Sequence, residues 1–246
     1  MKDALWVVYG LLVAVCWIGG LRVLRIALRT HEVPEWSLGV VLLCTGGIGY
    51  PLLFLRSMLE LPPRAGTLTF AIGLAFLSAG SIALYVFNWR LFRPNSVIAA
   101  LLCSAGSFVI SWSFLAELLT IGFAWNRDVL WIALGGGARC VPFAWGGAEA
   151  LARALRLRRE GAGRAAVRRF LLHGCALALI AVIYLAGLAS AAAGDGASHP
   201  RSVVAFGALG GIPAALALWI AFFPAGERSR AQALSKDGAI SSARST

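Results

Sequence analysis

Few side chains in the apolar stretches of this 246-residue chain could do chemistry, and two of them carry opposite charge. Arg139 stands within LWIALGGGARCVPFAW, residues 130–145, and Glu117 within ISWSFLAELLT, residues 110–120. A guanidinium stays charged in proteins, and a charge at the centre of a membrane-spanning helix costs about 3 kcal/mol on insertion scales. Arg139 therefore calls for a partner. Glu60 falls at a predicted outer surface, and Glu149 stands four residues before Arg153, where the two can pair along a helix. Glu117 lies ten residues before a hairpin turn near Arg127 and Arg139 twelve after it. At a rise of 1.5 Å per residue their depths differ by about 3 Å. Helical spacing puts Ala99, Cys103, Gly106, Ile110 and Ser113 on the face of Glu117, and Gly135, Pro142, Phe143 and Gly146 on that of Arg139. The expectation is a Glu117–Arg139 pair between adjacent helices. It would be either a tie that fixes register or a charged site that holds an anionic ligand.

Three apolar runs also share a pattern, GGIGYP at 46–51, GGGARCVP at 135–142 and GGIP at 210–213. A proline inside a helix lacks a donor and frees the carbonyl four residues before it, and the freed group needs a partner. Tyr50, Pro51, Pro142 and Pro213 are therefore expected to line a central cavity at three kinks, unless the glycines serve only tight packing. Tyr85, Asn88 and Tyr184 read as packed or interfacial residues.

Other chemistries find no support in the residues. The last apolar run, FGALGGIPAALALWIAFF, has no lysine for a retinal Schiff base, and the three histidines, His31, His173 and His199, do not fall at matching depths for haem. Asp195 and His199 share one loop without further zinc ligands, and Ser190 beside them does not make a preorganised triad. GGGARC lacks the lysine of a phosphate loop. Cys16, Cys44, Cys103, Cys140 and Cys175 lie apart in apolar runs and read as small buried hydrophobes. No catalytic constellation, cofactor motif or metal site is expected, and a non-enzymatic protein follows.

These residues must be positioned by elements suited to lipid. The chain is 59% hydrophobic and 13% charged, with a mean hydropathy of +0.80, about half the charge of a soluble domain. Seven apolar segments can be read, at about 4–28, 37–57, 68–91, 97–124, 129–152, 170–193 and 203–224. The fold class expected is an all-α, polytopic seven-transmembrane-helix bundle over 1–224, followed by a disordered cytoplasmic tail at 225–246. Counting Lys and Arg on the two sides gives sixteen against five, which places the amino terminus outside and the carboxyl terminus in the cytoplasm. The net charge of +11 belongs to that asymmetry rather than to nucleic-acid binding.

The cytoplasmic segment 153–169 carries seven arginines, Arg153, Arg156, Arg158, Arg159, Arg164, Arg168 and Arg169, on helices either side of a Gly-Ala-Gly break. It reads as a topology anchor or as a docking patch for anionic lipid or an acidic cytoplasmic partner. GGIGYPLLFL, WRLFRPNS and WGGAEALARALRLRRE together resemble segments of uncharacterised bacterial seven-span proteins of the inner membrane. That resemblance implies the span count and the membrane but no activity. Three functions stay open: a seven-helix sensor acting through a separate cytoplasmic partner, a small permease for an anionic or polar metabolite, and a non-catalytic assembly or scaffold subunit.

Overall fold

In a computed structural model the described residues are 2–59, 61–121, 129–192, 210–214, 216–218 and 220, and among them there is no strand. Helix α1 spans Lys2–Thr30 and ends where His31 takes a left-handed φ of 58°. The second span is one rod in three parts, α2 at Val33–Val41, a π-helical segment at Leu42–Gly49, and α3 at Tyr50–Met58. Pro34 begins it at a position where a missing N–H costs nothing. Helix α4 covers Pro63–Phe92, and α5 covers Val97–Ala116, capped by the Ser96 side chain on the Ala99 N–H. A short π turn, Glu117–Ile121, continues α5. Helices α6, Val129–Arg159, and α7, Arg164–Ala192, form a long hairpin.

Among the described residues, five helical stretches are long and apolar enough to cross a membrane: Tyr9–Thr30, Val33–Leu53, Pro63–Phe92, Val97–Leu119 and Arg164–Ala186. They make this a membrane-embedded helical protein. Helix α6 carries Arg139 and Glu149 within its apolar run and packs against α4, α5 and α7. The expected seventh span is helical at 210–214 and 216–218, while the rest of 203–224, the loop with Asp195 and His199, and the 225–246 tail lie outside the described residues.

The outward faces are those a lipid solvent selects. Helix α5 exposes Val97, Ile98, Leu101, Phe108 and Trp112 and buries Ala99, Cys103, Gly106, Ile110 and Ser113, the face its helical spacing requires. The main core joins Val23, Leu38, Val41, Leu84, Phe87, Phe143 and Leu177. Glycine sets the closest approach of α6 and α7. A Cβ on Gly147 would fall 3.1 Å from the Ala178 nitrogen, and one on Gly174 would fall 3.0 Å from that of Leu151. With little hydrophobic drive between helices in lipid, such backbone contact supplies the packing.

Candidate functional site

Pro142 is buried within α6, and its ring removes the N–H that would bond the Ala138 carbonyl. That carbonyl is not left open. The Tyr85 hydroxyl of α4 donates to it at 3.1 Å. One turn along α4, the fully buried Asn88 donates through Nδ2 to the Pro142 carbonyl at 2.6 Å. Two glycines admit these side chains. A Cβ on Gly106 would meet the Tyr85 ring at 2.3 Å, and one on Gly146 would meet Asn88 Oδ1 at 2.5 Å. The small-residue faces of α5 and α6 thus receive side chains from α4 as well as each other.

The kink at Pro51 has the same solution. Pro51 follows the π-helical segment, and Trp17 of α1 donates through Nε1 to the Gly47 carbonyl there at 3.0 Å. Both carbonyls are closed by a neighbouring side chain, which corrects the expectation that they face a ligand. The three prolines do not line the cavity between the helices: Pro142 is buried, Pro51 half-buried and Pro213 exposed. Tyr50 does line it.

Arg139 and Glu117 are both buried, at 4% and 6% exposure. Arg139 Nε donates to Ser78 Oγ at 3.1 Å, the Ser78 hydroxyl donates in turn to the Leu74 carbonyl at 2.7 Å, and Arg139 Nη2 has no hydrogen-bond partner among the described residues. The charges of Arg139 and Glu117 act on one another. They do not close to an ion pair, whereas Arg93 and Glu149 do. Hairpin register is the reason. A Cβ on Gly135 would lie 2.9 Å from that of Ser113, so these two residues are level. Residue 109 is then opposite Arg139, and Glu117 stands eight residues farther out, about 12 Å at 1.5 Å per residue. The Arg139 side chain leans toward the start of its helix, as helical side chains do, and its Nη1 reaches the level of Gly135. That covers only part of the offset, which a turn centred near Arg127 had put at about 3 Å.

Glu149 corrects a second expectation. It pairs with Arg93 at the end of α4, not with Arg153, through contacts of 2.8 and 3.4 Å. The pair ties the α4–α5 connection to the carboxyl-terminal half of α6. Beyond it the α6–α7 hairpin exposes Arg153, Arg156, Arg158, Arg159, Arg164 and Arg168, with Arg169 half-buried, and turns at Gly161 with φ +72°.

A cavity of about 70 Å³ lies between α1, the π-helical segment, α6, α7 and the last helical stretch. Leu12, Cys16, Thr45, Phe143, Ile180 and Leu218 contribute to its walls. Tyr50 stands edge-on to Tyr184 with ring centroids 5.9 Å apart, and Tyr184 stacks on Phe143 at 5.3 Å.

No family model, curated protein or solved structure matches the chain. The site stands on its own geometry. Sequence reasoning named the carbonyls that need partners but missed the donors Trp17, Tyr85 and Asn88 and the serine that receives Arg139. The one signal available was the demand itself, since each proline called for a donor somewhere at its depth.

Proposed function

We propose that the protein is a seven-helix sensor module of a bacterial inner membrane, with its amino terminus outside, that signals to a separate cytoplasmic partner through the arginine-rich hairpin. The observation that carries this reading is the continuity of α6. One helix of 31 residues runs past buried Arg139, forms a wall of the apolar cavity through Phe143, and ends in exposed arginines. At 1.5 Å per residue it is about 46 Å long against a hydrocarbon core of about 30 Å. A displacement at the cavity is therefore delivered rigidly beyond the membrane surface.

The tight α6–α7 contact supports rigid transmission, and the Arg93–Glu149 pair couples the adjoining α4–α5 connection to the same helix. A permease would need backbone groups open to its substrate at the kinks. At Gly47 and Ala138 those groups are occupied. The absence of a converging catalytic set in the sequence makes the protein non-enzymatic in this reading, and lipid headgroups or an acidic protein face are what the hairpin would meet.

The test is recovery of cytoplasmic proteins by crosslinking from intact cells, with the wild type and with Arg153, Arg156, Arg158, Arg159, Arg164 and Arg168 changed to glutamine. A partner lost in the variant supports the reading. A partner set that is the same for both overturns it.

A further inference from the structure

We propose that the cavity between α1, the π-helical segment, α6, α7 and the last helical stretch binds a small hydrocarbon group, supplied by a free apolar molecule or by the end of a lipid chain. The proposal rests on the sensor reading, for which it names the class of ligand.

Size and lining define the class. At about 70 Å³ the cavity is large enough for several carbon atoms, and roughly half the size of an engineered apolar cavity that stays dry and takes benzene or xenon. Leu12, Leu38, Leu177, Ile180, Ile183 and Leu218 give it aliphatic walls. The Thr45 hydroxyl at its edge is already spent on the Val41 carbonyl at 2.6 Å. Water needs two to four polar partners in such a space, and this lining favours hydrocarbon.

The wall itself is unusual. Leu42, Thr45 and Gly46 come from a π-helical segment eight residues long, a conformation that appears mostly as single turns and often at functional sites. Gly46 leaves its part of the wall bare, since a Cβ there would lie 2.3 Å from Cys16 Sγ. The segment is held in place by the Trp17 hydrogen bond to Gly47. Phe143, also in the lining, stacks on Tyr184. An occupant therefore touches the helix that carries both the buried charge and the basic hairpin.

The experiment is xenon-pressurised crystallography of the full chain, alongside crystals grown after reconstitution with a lipid brominated at its chain end. The wild type is expected to hold xenon in this cavity. Ile180→Phe should abolish that peak and Leu218→Ala should raise its occupancy. Bromine in the cavity identifies the chain end of a lipid as the source, and xenon without bromine identifies a free apolar molecule. A wild-type cavity holding neither overturns the proposal, as does xenon that persists in Ile180→Phe. If that variant does not fold, unchanged occupancy in Leu218→Ala overturns it. A partner set unchanged by the arginine substitutions, with xenon still bound, would overturn the sensor reading and leave this site standing.

Discussion

Pro142 and Tyr85 act as one unit, because the ring of the first creates the demand that the hydroxyl of the second meets. Tyr85→Phe leaves the Ala138 carbonyl without a donor in lipid, and the expected loss is about 1–3 kcal/mol. In a Pro142→Ala background the backbone N–H returns to that carbonyl, so the same change should cost under about 0.5 kcal/mol. Reversible unfolding of the four proteins in mixed micelles measures the difference, and equal costs in both backgrounds would show that Tyr85 stabilises by packing alone. The buried charges behave differently. Arg139→Gln removes the Nε hydrogen bond to Ser78 and leaves Glu117 without its countercharge, which should cost about 3 kcal/mol although Arg139 and Glu117 do not touch. Glu117→Asp keeps the charge and should cost under about 1 kcal/mol, because long-range coupling is tolerant of a small displacement. A Glu117→Asp cost as large as that of Arg139→Gln would mean that the two side chains meet directly.

At the scale of elements, three adjacent glycines in α6 do different things. A Cβ on Gly135 would fall 2.4 Å from Ser113 Oγ, one on Gly136 would fall 2.2 Å from the end of Leu188, and one on Gly137 meets nothing within 4 Å. Gly137→Ala should therefore stabilise by about 0.5–1 kcal/mol through helix propensity, while Gly135→Ala should cost about 1–3 kcal/mol by overpacking. Gly136→Ala should fall between them, since a leucine tip can rotate away. Unfolding midpoints of the three variants check the order, and destabilisation at Gly137 to match Gly135 would contradict it. Period and composition revealed much of this level in the sequence. The buried stripe of α5 follows from helical spacing, and the break between α6 and α7 follows from Gly161 and Gly163. Two things were not legible. The offset between α5 and α6 depends on the register of the hairpin, which moves Glu117 by about 9 Å relative to Arg139 from its expected depth. The donors to the Gly47 and Ala138 carbonyls sit 30 residues away for Trp17 and 53 for Tyr85, so only the fold brings them to the proline.

For the whole molecule the arginines of the α6–α7 hairpin have two separable roles, and orientation tests them apart. The proposed orientation, from sixteen basic residues against five, has the hairpin and the carboxyl terminus in the cytoplasm. A carboxyl-terminal fluorescent protein should therefore fluoresce, and a carboxyl-terminal periplasmic phosphatase should be inactive. The opposite pattern would reverse the topology and remove the hairpin from any cytoplasmic partner. Changing the six exposed arginines to glutamine leaves ten against five, still an excess on the same side. The reporters should then read as in the wild type, and each exposed change should shift stability by no more than about 0.5 kcal/mol. If orientation inverts in this variant, the arginines are topology anchors and loss of a partner says nothing about docking. If orientation holds while the partner is lost, the positive charge of the hairpin has a role beyond insertion, and the helix that joins it to Arg139 and to the cavity is the connection to follow.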